Sequence, residues 1–281
     1  MQIKNNGSDV GSILPRPKKK FGQNFLTDPG YASRIVELAS ISSSDTVIEI
    51  GPGRGAITKL LAKKGCRVIA LELDRELITN LGDTFVTYNN VEVVETDALK
   101  FDFSSLKESC HSKVKVVANL PYNVATPILF KLFEHRDLIG KMVLMFQLEV
   151  AKRIVASPGG KDYGALSIFP QLYSDASLAF KLPPGAFFPA PKIFSAVIHF
   201  EVFENPRYDV KDVKMLERVV KTAFSQRRKK LSNSIKSLLG KEMNSDELFV
   251  EAGIDASKRP EELTVEEFCR LSDALLILNR I

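Results

Sequence analysis

The sequence predicts an α/β fold: a mainly parallel sheet with helices, followed by a small domain made of helices alone. Short runs rich in β-branched residues at 46–50, 68–71 and 91–95 are separated by stretches with helical apolar spacing, which is typical of βαβ units. A glycine-rich turn, Gly51-Pro52-Gly53-Arg54-Gly55, joins the first of these strands to the next helix. After Asn205-Pro206 only helical patterns follow, and these predict the second domain.

The composition excludes several classes of protein. The chain has 281 residues, a formal net charge of +5 and a pI near 9.0, which is compatible with a polyanionic partner. Its three cysteines and three histidines have no ligand spacing, so we expect neither a disulfide framework nor a metal site. No apolar run is long enough to span a membrane, and residues 1–20 lack the apolar core of a secretory signal. We therefore expect a soluble, cytoplasmic protein and, since no long exposed apolar face is evident, a monomer.

The N-terminal residues predict a disordered basic tail before the first folded element. Residues 1–20 are polar and end in Pro15-Arg16-Pro17-Lys18-Lys19-Lys20, a run that fits either a solvated tail or an arm that binds phosphates. The next segment, 21–26, combines aromatic rings, a glycine and two amides, and this indicates a loop that faces a ligand. Asp28 then caps a helix whose first residue is Pro29.

Acidic residues follow the next two strands. Glu72 ends the strand at 68–71, and Asp97 with Ala98 follows the strand at 91–95. The carboxyl ends of parallel strands meet at one edge of a sheet, so we expect these residues near the glycine-rich turn. An acid in this position binds ribose hydroxyls, which predicts a nucleoside-containing cofactor.

Two cofactors fit this arrangement. The glycine-rich turn with Ala56 satisfies the loose dinucleotide pattern, so NAD is compatible with that pattern alone. Glu49 in the first strand and the Asp97-Ala98 step favour S-adenosylmethionine. The turn would then pack on its methionine part, Glu72 would hold the ribose and Asp97 would receive the adenine amine. Glu49 would lie near the methionine ammonium or have a structural role.

A second motif lies at the end of the fourth strand, where the run from Lys115 closes with Asn119-Leu120-Pro121-Tyr122. Pro121 cannot donate a ladder hydrogen bond, so the strand should end there and expose an amide, backbone carbonyls and an aromatic ring. The Asn119 side-chain oxygen and the Leu120 carbonyl could accept both protons of a nucleobase amine and localise its lone pair, while Tyr122 stacks on the base. The alternative is a plain strand end closed by a Pro-Tyr turn.

The rest of the first domain is predicted to hold three more strands, three helices and a glycine-rich loop. The loop at 157–164 is either a connector or a mobile lid. The last two strands are expected to form a hairpin. The predicted strands are 142–147, 177–182 and 196–203, and the predicted helices are one that contains Leu129, Leu132 and Phe133, one at 149–156 and one at 166–173.

The segment Pro183 to Ser195 is too rich in proline for a helix or a strand. Its aromatic residues, Phe187 and Phe188, could supply a second stacking wall, with Lys192 near a phosphate. Alternatively, the two rings are buried against the edge of the sheet, and we expect this of one of them.

The segment from residue 205 onwards predicts amphipathic helices with one apolar face each. Between the first two of them lies a run of four cations, Arg227-Arg228-Lys229-Lys230. Adjacent cations repel one another, so the run is explained either as solvated surface or as a contact with an RNA backbone.

Taken together and in this order, these motifs resemble those of the ribosomal RNA adenine N6,N6-dimethyltransferases of the KsgA type. The resemblance runs from about Lys20 to the C-terminus. It is carried by Gly22-Gln23-Asn24-Phe25-Leu26, Glu49-Ile50-Gly51-Pro52-Gly53-Arg54-Gly55, Glu72 with Asp74, Asn119-Leu120-Pro121-Tyr122, 187–195 and Phe224-Ser225-Gln226-Arg227-Arg228-Lys229.

The resemblance implies a seven-stranded Rossmann-like class I methyltransferase domain at 21–204 and a small helical rRNA-binding domain at 205–281, after the tail at 1–20. It implies dimethylation of N6 on two adjacent adenines in the 3′-terminal hairpin of small-subunit (16S) rRNA, with S-adenosylmethionine as cofactor and the immature small subunit as partner. We expect direct in-line transfer to an unpaired or flipped adenine, without a covalent enzyme intermediate.

The expected site residues follow from the motifs and the resemblance together. The catalytic set contains the motif after the fourth strand and one stacking ring of the proline-rich loop: Asn119, Leu120, Pro121, Tyr122 and Phe187, with Phe188 as the second choice for that ring. The cofactor set is Asn24, Leu26, Gly51, Gly53, Glu72, Asp97, Ala98 and Asn119. The RNA-binding set is Lys192, Arg227, Arg228, Lys229 and Lys230.

Two other functions remain open from the sequence. An NAD-dependent oxidoreductase is suggested only by the glycine-rich turn, and it lacks a recognisable hydride-handling residue. A non-catalytic RNA-binding factor in ribosome assembly would keep the fold and the basic surface, although the intact Asn119 to Tyr122 motif argues against it.

Overall fold

A computed structural model describes residues 15–110, 112–239 and 245–278. Most of the expected N-terminal tail, residues 1–14, therefore lies outside the described residues. The described part has the expected α/β fold with a seven-stranded, mostly parallel sheet. None of the described helices is long and apolar enough to cross a membrane.

The strands alternate with helices along the first two thirds of the chain. In chain order the strands are β1 (Phe25–Leu26), β2 (Thr46–Ile50), β3 (Arg67–Glu72), β4 (Val91–Glu95), β5 (Val114–Asn119), β6 (Ile139–Gln147), β7 (Ser174–Leu182), β8 (Phe187–Phe188) and β9 (Ser195–Val202). The large sheet has the order β4-β3-β2-β5-β6-β9-β7, and β1 pairs with β8 in a separate two-stranded sheet. The pairs among β2 to β6 are parallel, whereas β9 is antiparallel to β6 and to β7, which confirms the expected hairpin.

The helices cover both faces of the sheet. They are α1 (Pro29–Leu38), α2 (Ala56–Lys63), α3 (Arg75–Phe85), α4 (Ala125–Glu134), α5 (Leu148–Ile154), α6 (Ala165–Tyr173), α7 (Val213–Ser225), α8 (Leu231–Ser234), α9 (Ser245–Ala252) and α10 (Val265–Leu278). Alternation along each strand sends neighbouring residues to opposite faces. Val47 and Val117 therefore pack with α1 and α2, whereas Ile48 and Val116 pack with α4.

The C-terminal helices pack on the same core as the sheet. Leu216, Val219 and Leu271 are fully buried in the cluster that also contains the inner residues of β5 and β6. The Phe224 ring lies 5.5 Å from the Phe268 ring and 6.2 Å from the Tyr163 ring, centroid to centroid. The buried apolar surface is thus continuous from the sheet into the helices, and a domain boundary at residue 204 stays a prediction.

The carboxyl ends of the central strands form one edge of the sheet, and the backbone between them is tied across strands. The Gly51 amide donates to the Leu71 carbonyl at 3.0 Å, and the Thr96 amide donates to the Glu72 carbonyl at 2.9 Å. The small sheet of β1 and β8 pairs Phe25 with Phe188. This edge is where parallel sheets bind ligands.

Residues 15–20, which composition predicts to belong to a disordered tail, make defined contacts with the folded part of the chain. The Lys18 ammonium lies 2.6 Å from the Asp74 carboxylate and 3.1 Å from that of Glu76, and the Lys18 amide donates to the Gln23 side chain at 2.6 Å. Composition suggested a solvated cationic run, but two carboxylates at the start of α3 pair with one of its lysines. Residues 15–22 are called the N-terminal strap below, because they cross the protein at this edge of the sheet.

Candidate active site

The glycine-rich turn between β2 and α2 has a backbone that only glycine adopts without strain at three positions. The φ angles of Gly51, Gly53 and Gly55 are +68°, +58° and +79°. A Cβ atom at Gly53 would lie 2.9 Å from the Phe25 ring, and one at Gly55 would lie 2.9 Å from the Phe85 ring. The turn therefore combines close packing with a backbone that lines the pocket, and a ligand can approach it at the start of α2.

The Glu72 carboxylate is held by backbone amides. It accepts hydrogen bonds from the amides of Leu73 at 2.8 Å, Asp74 at 2.9 Å and Gly53 at 3.4 Å. Burial of the side chain raises the pKa of Glu72. These contacts fix the carboxylate between the glycine-rich turn and the end of β3, where it can accept from hydroxyl groups.

The end of β4 supplies a third acidic residue. One Asp97 side-chain oxygen accepts from the Leu99 amide at 2.9 Å, and the Asp97 carbonyl accepts from the Lys100 and Phe101 amides at 2.8 and 3.0 Å. These bonds fix the Asp97 backbone and side chain at the edge of the pocket beside Ala98.

Glu49 is the most buried acid of the site. It is 1% exposed, and its Oε2 atom has no hydrogen-bond partner among the described residues. Burial raises the pKa of Glu49 to about 8. A buried carboxyl group with an unsatisfied oxygen beside a cavity is suited to a cationic group of a ligand, which would restore the charged form.

The Asn119 side chain has a defined orientation. Its Nδ2 atom donates to the backbone carbonyl of Asn24 at 2.9 Å. Because only the nitrogen of an amide can donate, this bond assigns the other atom, Oδ1, as the acceptor that remains for a ligand. Asn24 is itself held by a bond from its Nδ2 to the Gly22 carbonyl at 3.2 Å.

Tyr122 links the motif after β5 to the start of β9. Its hydroxyl lies 2.6 Å from the Ser195 hydroxyl, and burial raises the pKa of Tyr122. The Val124 amide donates to the Pro121 carbonyl at 3.1 Å, which closes the turn before α4. The phenol is thereby fixed while its ring lines the pocket.

One pocket of about 260 Å³ brings most of the expected residues together. It is lined by all of the expected cofactor residues and by the four expected catalytic residues at the end of β5. Those lining residues are Asn24, Leu26, Gly51, Gly53, Glu72, Asp97, Ala98, Asn119, Leu120, Pro121 and Tyr122. Segments that are far apart in sequence thus form a single site, with Glu49 in its wall.

Comparison with known proteins gives the family. Residues 15–276 match the model of the family described as ribosomal RNA adenine dimethylase. The chain belongs to this family. A ribosomal RNA small subunit methyltransferase A of Magnetococcus marinus is 43% identical over 257 residues, which cover 92% of this chain and 91% of that protein. The protein of the same name from Pseudomonas aeruginosa is 44% identical over 260 residues, 92% of this chain and 95% of its own length.

Solved structures agree with this family assignment. A dimethyladenosine transferase from Plasmodium falciparum superposes with a TM-score of 0.75 at 27% identity, covering 91% of this chain and 98% of that chain. The 23S rRNA methyltransferase ErmE superposes with a TM-score of 0.68 at 23% identity, covering 90% and 99%, and this likeness shows the shared fold. The expected class I methyltransferase fold is confirmed.

Family membership also decides between the two cofactors. The protein is an S-adenosylmethionine-dependent methyltransferase, so that cofactor is confirmed and NAD is excluded. The residues present fit it: the unsatisfied Glu49 oxygen suits an ammonium group, and the amide-held Glu72 carboxylate suits vicinal hydroxyls. Which residue holds which part of the cofactor stays a prediction.

The structure separates the two rings of the proline-rich loop. Phe187 is 4% exposed and pairs with Leu26, so its side chain lies in the core beneath α1. Phe188 is 52% exposed, and the Arg54 guanidinium lies 5.5 Å from its ring centroid. The expectation that one ring is buried is therefore met by Phe187. Neither ring is among the residues that line the pocket, and a stacking role for Phe187 stays a prediction.

The expected RNA-binding cations have different environments. Arg228, Lys229, Lys230 and Lys192 are exposed. Arg227 instead donates to the Gly160 carbonyl at 3.1 Å and lies 3.9 Å from Glu261. Its guanidinium thus connects the loop at 157–164 to the segment around Glu261, and its role as a phosphate ligand stays a prediction.

Loop 157–164 is a tethered connector here. The Gly159 amide donates to the Glu261 carbonyl at 2.7 Å, in addition to the bond between Arg227 and Gly160. Both contacts come from residues far along the chain, so the glycine-rich sequence alone gave no indication of them. These contacts favour a connector over a mobile lid for this loop.

Some residues of the site were not found from the sequence. Ser195, the partner of the Tyr122 hydroxyl, is one of many serines and carries no local signal. The backbone carbonyl of Asn24 orients Asn119, but a backbone group cannot be recognised from residue type. Lys18 and Gln23 both donate to Asp74, from 56 and 51 residues away, and residue type alone does not reveal partners at such a distance.

Proposed function

We propose that this protein dimethylates N6 of two adjacent adenines in the 3′-terminal hairpin of small-subunit rRNA, with the immature small subunit as its partner and as a monomer in the cytoplasm. The observation that carries the proposal is the fixed Asn119 amide at the pocket edge, whose Oδ1 is left to accept. The family match and the relatives named ribosomal RNA small subunit methyltransferase A support the substrate.

The acceptor side of the site would act on the adenine amine. The lone pair of that amine is delocalised into the ring, which makes it a poor nucleophile. Asn119 Oδ1 and the Leu120 carbonyl would accept its two N–H groups and favour a pyramidal nitrogen with a localised lone pair. Because the bond to Asn24 holds the Asn119 amide in place before the substrate arrives, little reorganisation is needed during the reaction.

The donor side would be held by the acids of the pocket. S-adenosylmethionine supplies an electrophilic methyl group on a sulfonium when it is bound. Glu49 would bind its ammonium, Glu72 its ribose hydroxyls and Asp97 its adenine amine, while the glycine-rich turn leaves space along the backbone. Fixing both reactants in one pocket supplies much of the rate enhancement through orientation.

The RNA would be bound by stacking of the target base and by contacts between exposed cations and phosphates. Tyr122 would stack on the target base, which must be unpaired or flipped out to reach the pocket. Arg228, Lys229, Lys230 and Lys192 are exposed and would contact phosphates. Binding should therefore weaken as the salt concentration rises.

The test is transfer of a labelled methyl group from S-adenosylmethionine to small ribosomal subunits that lack these modifications, followed by digestion to nucleosides. We expect N6,N6-dimethyladenosine from the wild type. Asn119→Ala should abolish its formation but retain cofactor binding, whereas Asn89→Ala, an exposed asparagine away from the pocket, should behave as wild type.

Two other results would point elsewhere. Normal turnover by Asn119→Ala would overturn the role of the amide. Tight binding of the wild type to subunits without incorporation of label, while the cofactor still binds, would favour the alternative of a non-catalytic assembly factor.

A further inference from the structure

Arg54 is the one arginine in the glycine-rich turn, and the family resemblance gives it no role. Its backbone lies between Gly53 and Gly55, on the cofactor side of the pocket. Its side chain extends away from that position and touches three other segments. A residue that belongs to the cofactor loop therefore contacts parts of the protein that are expected to meet the RNA.

Two of these contacts are with aromatic rings. The Arg54 guanidinium lies 4.8 Å from the Phe25 ring centroid and 5.5 Å from the Phe188 ring centroid. Phe25 and Phe188 are directly paired across β1 and β8. The cation therefore lies against a cross-strand pair and contacts both of its members, one of which, Phe188, is half exposed on the proline-rich loop.

The third contact is with the N-terminal strap. Arg54 Nη2 donates to the Pro15 carbonyl at 2.8 Å, and the strap is further held by Lys18 on Asp74. Arg54 Nε is buried without a hydrogen-bond partner among the described residues. The guanidinium is thus held by the rings and by a single backbone bond, and these are the contacts that a substitution would remove.

The Phe25 ring also packs against the glycine-rich turn. A Cβ atom at Gly53 would lie 2.9 Å from its ring, so the ring packs directly against the turn that carries Arg54. Phe25 is 5% exposed and lines the pocket. A shift of the glycine-rich turn would therefore move Phe25, and Arg54 would transmit the same shift to Phe188.

We propose that Arg54 is a positioning residue that couples the cofactor side of the pocket to the RNA side. It would do so by binding the Phe25–Phe188 pair and the N-terminal strap together, so that the proline-rich loop stays aligned with the bound cofactor. The proposal rests on the proposed function for its kinetic consequences, because the RNA side is defined by that function. Its structural consequence, ordering of two segments by one side chain, does not depend on the substrate.

The first measurement is backbone amide exchange in the full-length protein. Arg54→Met keeps much of the side-chain length but removes the charge and the donors. We expect faster exchange at residues 183–195 and 15–22 in this variant. Unchanged exchange in both segments would overturn the proposal, whatever the RNA specificity proves to be.

The second measurement is steady-state methylation of unmodified small subunits, together with the Kd of S-adenosylhomocysteine. Arg54→Met should lower kcat/KM for the subunit by about tenfold to a hundredfold through misplacement, while the Kd changes by less than about threefold. Phe188→Leu should reproduce the kinetic loss. The double variant should be no worse than the more impaired single variant, because both substitutions break one contact.

Additive losses in the double variant would mean that Arg54 acts on the RNA by itself, and they would overturn the positioning role. If Arg54→Met does not fold, the same comparison of single and double variants can be made with Arg54→Lys, which retains the charge and loses the planar guanidinium. Absence of methylation by the wild type would overturn the proposed function, while the exchange result would still decide the coupling.

The chain offers a matched control in Arg34. Its guanidinium lies 4.0 Å from the Phe180 ring centroid and 5.7 Å from that of Tyr31, and it does not line the pocket. Arg34→Met removes the same kind of contact between one cation and two rings. We expect it to leave kcat/KM and the exchange at residues 15–22 unchanged, and loss of activity in this variant would show that the effect at Arg54 is not specific.

Discussion

The Asn119 side chain donates to the backbone carbonyl of Asn24 at 2.9 Å, across 95 residues of sequence. The acceptor lies in the segment just before β1, and the donor lies at the end of β5. The bond selects one of the two orientations of the amide and leaves Oδ1 for the substrate. The side chain that we propose to act on the adenine amine is thus oriented by the segment that also lines the pocket.

Asn119→Asp tests this orientation. Aspartate has the shape of asparagine, but its second oxygen would face the Asn24 carbonyl without a proton to donate. We expect kcat for methyl transfer to fall by roughly a hundredfold to a thousandfold, the range seen when one preorganised polar group is lost from a site. Single-turnover kinetics with saturating subunits measures this effect.

Cofactor affinity is the matching control for the aspartate variant. The Kd of S-adenosylhomocysteine should change by no more than a few fold, since Glu49, Glu72 and Asp97 are untouched. A variant that retains wild-type kcat would show that the Asn24 bond has no catalytic consequence.

Some parts of this site can be predicted from the sequence and others cannot. The glycine-rich turn, Glu72, Asp97 and the motif at Asn119 follow strand ends, and the parallel topology brings strand ends together. Their meeting in one pocket could therefore be predicted from local patterns. The same reasoning predicted the strands and the final hairpin but not the order of the strands in the sheet, because local patterns locate elements without their neighbours.

What could not be predicted depends on contacts between distant segments. The sequence predicts Lys18 in a solvated tail or a phosphate-binding arm and does not reveal its pairing with Asp74. The sequence predicts Arg227 among the phosphate ligands and does not reveal that it also donates to the Gly160 carbonyl. In both cases the residue type was consistent with either outcome, and only the three-dimensional positions of the acceptors decide which one holds.

The charged form of Glu49 should favour cofactor binding but lower the stability of the folded protein. Its pKa is raised by burial from 4.5 to about 8, so the folded state binds the Glu49 proton more tightly than the unfolded state. The stability contributed by this group is thus greatest below about pH 4.5 and is lost as the pH rises towards 8, at about 1.4 kcal/mol per pH unit at most. Above that range the contribution is constant.

Glu49→Gln removes this titration. We expect the empty variant to be more stable than the wild type at pH 8, with a difference that shrinks as the pH falls towards 5. We also expect its cofactor affinity to fall by at least about tenfold, because an ammonium loses its anionic partner. Urea unfolding across pH and calorimetric titration with S-adenosylmethionine check both points, and unchanged affinity would exclude Glu49 as the ammonium site.

Loss of the Phe187 ring should destabilise the protein more than loss of the Phe188 ring. Phe187 is buried, so Phe187→Ala should destabilise the fold by about 3–5 kcal/mol, whereas Phe188→Ala removes a half-exposed ring and should cost about 1 kcal/mol or less. Urea unfolding of the two variants measures the contrast. Equal losses would mean that the burial difference has no energetic consequence.

The stacking role of Phe187 needs a milder pair of substitutions. Phe187→Leu keeps an apolar side chain without a ring, and Phe187→Tyr keeps the ring. If Phe187 stacks on the base, kcat/KM well below the melting temperature should fall about fivefold to a hundredfold in the leucine variant and should be largely retained in the tyrosine variant. Equal activity of the two variants would limit Phe187 to packing.

The exposed cations between α7 and α8 should set the salt dependence of RNA binding. Arg228, Lys229 and Lys230 are exposed, whereas Arg227 is engaged by Gly160 and Glu261. Each phosphate contact releases a counterion and contributes roughly 0.7–0.9 to the slope of log K against log salt. Changing the three exposed cations to glutamine should therefore reduce that slope by about 2–3.

A triple variant at Lys59, Lys63 and Lys64 provides the control, because these exposed lysines lie on or next to α2 and its change in net charge is the same. Its slope should stay within about 0.5 of the wild-type value if the counterions are released at specific phosphate contacts rather than by overall charge. Binding to small subunits at several salt concentrations measures both variants. Equal reductions in the two would show that net charge, and not the segment 228–230, governs the association.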